Sequence, residues 1–156
     1  MQGEAIRLME NGVVIYELKS ADVAYVEPIN RLLAQLSSSP RTFTVEALEA
    51  IVQSGNSHLL LAGVDGVVAG MLTLCDYLAP TGRKMWIEDV VVDEAMRGRS
   101  IGRLLVNSAI EYAKTLGGGT LMLTSRPSRE AANALYRSCG FVFKETNNYK
   151  MEITVE

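Results

Sequence analysis

The sequence predicts one mixed α/β domain of the α+β kind, with its elements in the order βααβββαβαββ. Three observations carry that prediction. The chain has 156 residues, and at this length a fold buries roughly 70% of the surface its unfolded form exposes, so no disulfide or metal staple is needed. Its composition, 48% hydrophobic and 21% charged with a formal charge of -3, is that of an ordinary globular domain. Apolar residues also switch repeatedly between helical spacing and short β-rich runs, with turn residues between them.

Val13 to Leu18 reads as the first strand. Asp22, within Ser20-Ala21-Asp22-Val23, offers a cap for a helix carrying Val26, Ile29, Leu32, Leu33 and Leu36, which Ser37-Ser38-Ser39-Pro40 ends. Thr44-Val45-Glu46-Ala47 opens a second, short helix with Leu48, Ile51 and Val52 inward. His58 to Gly63 and Val67 to Leu74 flank Asp65-Gly66, a strong hairpin signal, and read as two antiparallel strands. Met85 to Asp93 is a further strand. From Ile101 the pattern turns helical, with Leu104, Leu105, Ala109, Tyr112 and Leu116 on one face and Arg103, Asn107, Glu111 and Lys114 on the other. Gly117-Gly118-Gly119 stops this helix. Leu121 to Thr124 reads as a buried strand, Ser128 to Ser138 as a helix closed by Gly140, and Phe141 to Lys144 with Tyr149 to Val155 as a terminal hairpin across Asn147-Asn148. With no internal repeat or dividing linker, residues 1 to 156 are expected to form a single domain.

Composition also excludes functions. The two cysteines, Cys75 and Cys139, lie far apart in apolar surroundings, and His58 is the sole histidine, so no metal site is expected. Cys139 reads as a small buried hydrophobe rather than a nucleophile, and His58 as structural. No block of Lys and Arg suggests a nucleic-acid surface. The apolar runs are far shorter than the roughly 20 residues of a membrane span, and no basic stretch followed by an apolar one opens the chain. A soluble, cytoplasmic protein that does not act on membranes is expected, its partner a small molecule or a protein, with a homodimer left open.

The sharpest local feature is the strand Trp86 to Val92 running through a glycine turn into the helix that begins near Ser100. A helix N-terminus leaves amide groups without intrahelical acceptors and its dipole favours anions, so strand, turn and helix together form a cradle for a pyrophosphate. Gly98 and Gly102 admit close approach of phosphate to backbone, while Arg97, Arg99 and Arg103 add positive charge or are simply solvated. Neither GxxxxGK[ST] nor GxGxxG is present.

Arg97-Gly98-Arg99-Ser100-Ile101-Gly102, preceded by Val90-Val91-Val92-Asp93, resembles the acetyl-CoA-binding motif of the GCN5-related N-acetyltransferases, the GNAT family, with Ser100 where the first motif glycine stands. Asn133-Ala134-Leu135-Tyr136-Arg137-Ser138-Cys139-Gly140-Phe141 is similar to the family's later segment ending in Tyr-x-x-x-Gly-Phe, and the element order matches over nearly the whole chain. Within the family, Phe43-Thr44 to Leu48 and Trp86-Ile87-Glu88-Asp89-Val90-Val91-Val92 look most like the glucosamine-6-phosphate N-acetyltransferases, from which Leu123 to Ser128 departs.

The resemblance implies the GNAT acyl-CoA N-acyltransferase fold, a central mixed, mostly antiparallel twisted sheet flanked by about four helices. It implies an enzyme that moves an acetyl group from acetyl-CoA to a primary amine by direct attack in a ternary complex, without a metal. Alternatives are an amino-sugar phosphate acceptor, with Arg83, Lys84 and Arg126 as loose candidates for a cationic pocket, and a non-catalytic acyl-CoA-binding module. By similarity the backbone of Val90, Val91 and Val92 holds the pantetheine arm, and Arg97, Gly98, Arg99, Ser100, Ile101, Gly102 and Arg103 hold the pyrophosphate. Ser100 is expected to cap the helix. Tyr136 is the candidate acid for the leaving thiolate, and Asn133, one turn before it, a candidate for a pantetheine carbonyl. Glu88 and Asp89 are the carboxylates for substrate, with Glu88 preferred as a base acting through water. Strand alternation would put these two on opposite faces, with one toward the site.

Overall fold

The computed structural model describes residues 4–155; residues 1–3 and 156, counted in the expected domain, lie outside them. The six strands of one sheet lie side by side in chain order: β1 (Glu4–Glu10), β2 (Val13–Leu18), β3 (Ser57–Val64), β4 (Val67–Ala79), β5 (Gly82–Val92) and β6 (Thr120–Met122). The first five are mutually antiparallel and β6 joins β5 in parallel, so the sheet is mixed and mostly antiparallel, as expected. The helices are α1 (Val26–Leu36), α2 (Val45–Gln53), α3 (Ile101–Thr115) and α4 (Glu130–Ser138).

Both faces of the sheet are covered, which is why β3 and the first part of β4 are nearly continuous apolar runs rather than alternating ones. On one face Ile15, Leu60, Leu72, Leu74, Met85 and Ile87 pack against Leu104, Leu105 and Ala109 of α3 and Tyr136 of α4. On the other, Tyr16, Leu59, Leu61, Met71 and Val91 meet Ile29 and Leu32 of α1 and Leu48 of α2. The expected caps of the first two helical segments form. The Asp22 carboxylate accepts from Ala24 N at 2.9 Å, before a 3-10 turn that leads into α1, and the Thr44 hydroxyl accepts from Ala47 N at 3.2 Å.

Two expectations fail. A strand, β1, precedes the first expected one and pairs with it through a turn in which Asn11 and Gly12 both have positive φ (51° and 77°), the geometry of a two-residue hairpin. The terminal hairpin, in contrast, does not form. Residues 142–155 contain no strand, and their large apolar side chains stand exposed. The alternation that suggested a strand is present, but a strand exists only when a neighbouring edge pairs with it, and within the described chain none does.

Candidate active site

The turn between β5 and α3 is built from backbone conformation. Asp93 caps a 3-10 turn, Glu94–Met96, by accepting from Ala95 N at 3.0 Å, and Gly98 follows with φ 85°. Ser100, at the N-cap of α3, adopts the left-handed conformation (φ 58°, ψ 22°), and its side chain makes no capping bond. The expected serine cap is therefore absent, and the backbone there takes a shape for which glycine carries no steric penalty. The first intrahelical bond runs from Leu104 N to Ser100 O at 3.0 Å, which leaves the amides of Ile101, Gly102 and Arg103 without intrahelical acceptors. No acidic residue occupies this first turn. Arg97 and Arg99 stand exposed beside it, whereas Arg103 is turned away, its guanidinium donating to the Ser138 hydroxyl at 2.9 Å. The Ile101 side chain is fully buried, so only its amide faces outward chemistry. A Cβ on Gly102 would lie 3.1 Å from Leu135 Cδ2 and 3.7 Å from Val92 Cγ2, so this glycine allows α4 to close on α3 beside the end of β5.

β5 pairs with β6 only through Lys84, Met85 and Trp86. Beyond Trp86 the strand continues to Val92 with β4 on one side and no strand on the other among the described residues, so its amides and carbonyls there are open to a ligand. Val90 and Val92 pack against the α3 core and Val91 is buried in the opposite one. Their side chains serve packing, and their main chain has no strand partner on the β6 side among the described residues.

A bulge interrupts β5 at this point. Met71 pairs with Val91 and Thr73 with Glu88, so Leu72 alone faces both Asp89 and Val90, and Asp89 has φ 52°. Strict alternation, expected to send Glu88 and Asp89 to opposite faces, fails because the inserted residue resets the pleat. Glu88 stands opposite Thr73, and Thr73 and Asp89 line one cavity of about 400 Å³ between the sheet, α1 and α2. The two carboxylates are close enough to interact. Partial burial, and after it the Asp89 charge, raise the Glu88 pKa above its ordinary value.

The cavity is walled by Ile29, Leu33, Phe43 and Met71, and Arg41 stands at its rim as the one cation among its lining residues. The loop between α1 and α2 is fastened by Asn30, whose amide exchanges two bonds of 2.9 Å with the backbone of Phe43. Two further α1 side chains hold the turn after β5. Arg31 donates to Val68 O at 2.7 Å and pairs with Asp93 at 3.4 Å, and Gln35 Oε1 accepts from Glu94 N at 2.9 Å. None of Arg41, Asn30, Arg31 or Gln35 is singled out by the sequence reading, which followed the apolar stripe of α1. The i, i+4 spacing of Arg31 and Gln35 is the signal that marks a shared polar face.

Tyr136 lies on the buried face of α4, 6% exposed, its ring edge-on to Phe141 with centroids 6.2 Å apart. Burial raises its pKa, against the opposing charge of Arg129, so the hydroxyl keeps its proton at neutral pH. Asn133 is differently employed. Its Nδ2 donates to the carbonyls of Arg126 (2.9 Å) and Arg129 (2.8 Å), so both amide protons serve to pin the loop before α4 and neither is left for a ligand carbonyl. Of the loose cationic candidates, Arg83 is paired with Asp76, and none of Arg83, Lys84 and Arg126 lines the cavity.

Comparison with known proteins identifies the family. Glucosamine 6-phosphate N-acetyltransferase 1 of Oryza sativa subsp. japonica is 33% identical over 123 residues, 72% of each chain. The N-alpha-acetyltransferase RimI of Mycobacterium tuberculosis is 30% identical over 110 residues, covering 70% of this chain and 68% of that one. Among solved structures, a transcriptional regulator from Bacillus halodurans C-125 superposes with a TM-score of 0.78 at 29% identity, over 90% of this chain and 99% of the other. Residues 28–141 match the sequence model of the Acetyltransferase (GNAT) family. From α1 to the end of α4 that match spans the turn between β5 and α3, the bulged strand and Tyr136, and the chain accordingly belongs to the GNAT family as an acetyl-CoA-dependent N-acetyltransferase.

Proposed function

We propose that the acetyl group passes directly to a primary amine seated in the cavity between the sheet, α1 and α2, with donor and acceptor bound together. The observation that supports this reading is the bulge at Asp89. It leaves Asp89 in the cavity lining and Glu88 opposite Thr73, which lines the same cavity, on the strand whose open edge, Val90 to Val92, would take the pantetheine arm. The amides of Ile101, Gly102 and Arg103, with the charges of Arg97 and Arg99, suit the pyrophosphate. When bound, acetyl-CoA supplies a thioester carbonyl open to attack by nitrogen.

The chain's residues then have three tasks. Glu88 and Asp89 draw an ammonium group into the cavity by charge. Glu88, made more basic by partial burial and its neighbour, accepts the proton the nitrogen must lose, through a water. Tyr136 donates its proton to sulfur as the C–S bond breaks and recovers one from solvent, a role that a buried, protonated phenol suits. A thiol-release assay with acetyl-CoA across amines, amino acids, polyamines and peptide N-termini tests the reading. Release that saturates with one class of amine is expected, and no release with any of them, despite bound acetyl-CoA, overturns it.

Arg41 favours one narrower acceptor, an amino sugar phosphate, because its guanidinium stands at the cavity rim where an anion on the acceptor would reach it. The relative from Oryza sativa carries that substrate in its name. Glucosamine 6-phosphate belongs in the panel beside glucosamine, and this acceptor predicts a lower KM for the phosphorylated sugar, lost in Arg41→Ala.

A further inference from the structure

α1 stands between the cavity and the turn that joins β5 to α3, and it presents a different face to each. Ile29, Leu33 and Leu36 line the cavity. Arg31 and Gln35, each two residues on from Ile29 and Leu33 and so about 200° round the helix, reach the turn instead. They attach to the groups that set its shape. Asp93 Oδ1 caps the 3-10 turn by accepting from Ala95 N at 3.0 Å, and Asp93 Oδ2 faces Arg31 Nε at 3.4 Å. Gln35 Oε1 accepts at 2.9 Å from Glu94 N, a first-turn donor with no acceptor inside the turn. The Arg31 guanidinium is also fixed to the sheet, its Nη2 donating to Val68 O of β4 at 2.7 Å. Its Nε is buried and makes no hydrogen bond. The contact with Asp93 is thus an ion pair somewhat longer than a hydrogen bond, and a shift of about 0.3 Å in Asp93 would complete that bond.

We propose that Arg31 and Gln35 are positioning residues that couple the two substrate sites through α1. Phosphate drawn onto the amides at the start of α3 shifts the turn, Asp93 closes its bond with Arg31, and α1 is seated with the cavity wall that it carries. This rests on the reading above, with the pyrophosphate at the turn and the amine in the cavity. The coupling is reciprocal, because acetyl-CoA must tighten the amine by the factor by which the amine tightens acetyl-CoA. The same movement reaches the loop after α1, since Asn30 binds the backbone of Phe43 at both its amide and its carbonyl. Arg31 and Gln35 can be removed without touching the buried side of the helix, where Ile29 and Leu32 pack in the core.

Hydrogen exchange of the full chain with and without saturating CoA reads the coupling without any amine. CoA should slow the amides of residues 37–44, which no hydrogen bond among the described residues joins to the turn, by about 5-fold or more. In Arg31→Ala combined with Gln35→Ala that slowing should vanish, while CoA still protects the amides of Ile101, Gly102 and Arg103. If the double variant lacks the wild-type helical circular dichroism spectrum, Gln35→Ala alone decides; its bond to Glu94 lies at the surface, and part of the slowing should go with it. Initial rates with acetyl-CoA and amine varied together supply a second readout. The amine KM should lie about 5-fold or more below its dissociation constant from the free enzyme in the wild type and equal it in the double variant. Unslowed exchange at 37–44 in the wild type with CoA bound overturns the proposal, and so does equal slowing in the variants. If no amine releases thiol, the acceptor reading falls, and the exchange result alone decides whether the turn is coupled to α1.

Discussion

The side chain of Asn30 grips the backbone of Phe43 from both directions, its Oδ1 accepting from Phe43 N and its Nδ2 donating to Phe43 O, each at 2.9 Å. The amide also reaches Val26 O within its own helix, so one residue fixes the loop that carries Arg41 and Phe43 along the cavity. Asn30→Ala removes these bonds without touching the turn between β5 and α3. We expect a loss of about 1–2 kcal/mol in stability. The KM for the amine should rise several-fold, and kcat and the affinity for acetyl-CoA should hold. Steady-state kinetics with each substrate varied in turn separates these effects, and an unchanged amine KM would detach the loop from substrate binding.

Ser100 is a place where the sequence can be improved. A non-glycine residue at φ 58° costs about 1–2 kcal/mol, and a glycine loses about 0.5–1 kcal/mol of that advantage through its freer unfolded chain. Because the hydroxyl makes no capping bond, nothing else is forfeited. Ser100→Gly should therefore stabilise the protein by about 0.5–1 kcal/mol and raise Tm by about 2 °C. Calorimetry of the two proteins without ligand measures it, and a lower Tm in the variant would mean that the hydroxyl has a role in solution.

Much of this was legible from the sequence, and the failures have physical causes. The β3–β4 hairpin, the amphipathic face of α3 and the glycine turn before it follow from local residue pattern. β1 was obscured by its polar start, although Asn11-Gly12 signals a hairpin as strongly as Asp65-Gly66 does. The bulge at Asp89 was hidden because periodicity registers no inserted residue; only a φ of 52° at a residue that tolerates it betrays the insertion. Asn133 fitted a pattern by type and spacing, yet its donors went to the nearest carbonyls, Arg126 and Arg129. Competition of this kind is decided by loop geometry that the one-dimensional sequence does not carry.

His58 reads as structural in the sequence, and the fold gives it a large electrostatic part. Its Nε2 lies 3.0 Å from Asp76, and its Nδ1 2.9 Å from the Tyr112 hydroxyl and 3.4 Å from Glu17. Arg7, Lys19 and Arg83 pair with the same two carboxylates. Burial opposes protonation of His58, but its bonds to Glu17 and Asp76 outweigh it and raise the pKa. Stability from this group is thus complete below the unfolded histidine value of about 6.5 and is lost as pH rises through the higher folded value. Burial would raise the Glu17 pKa as well, but bonds from His58, Lys19, Tyr112 and Arg7 lower it well below its ordinary 4.5, so its contribution is present above that value and lost in acid. The Tyr112 phenol, pushed up to about 12 by burial and by Glu17, stays protonated throughout. Urea unfolding should show greatest stability between about pH 5 and 6.5 and a decline above. His58→Gln should flatten that decline, and an equal decline in the variant would assign it to other groups.

Tyr136→Phe isolates one oxygen. The ring keeps its edge-on contact with Phe141 and its place in the core, and no hydrogen bond contributes to the phenol's pKa shift, so stability should change by less than about 1 kcal/mol. If the phenol protonates the leaving thiolate, kcat should fall by about 100-fold while both KM values hold. Single-turnover measurement distinguishes slowed chemistry from slowed release of product, and an unchanged chemical step would remove Tyr136 from the reaction.

Because the bulge brings Glu88 and Asp89 to bear on each other, the two carboxylates make separable predictions. After partial burial, the Asp89 charge is what raises the Glu88 pKa, so neutralising it in Asp89→Asn should lower that pKa. The acid limb of kcat/KM, where the base becomes protonated, should accordingly move to lower pH in this variant, with a weaker base and a modestly lower plateau. Asparagine is tolerated at φ 52°, so the bulge should survive the change. Glu88→Gln removes the proton acceptor itself. Its kcat/KM should fall most below the pKa of the amine and recover in part at high pH, where more of the amine arrives neutral, and its acid limb should vanish. The paired profiles are diagnostic, since a base at Asp89 would exchange the two behaviours. If solvent takes the proton, the acid limb of the wild type would be unmoved by either substitution.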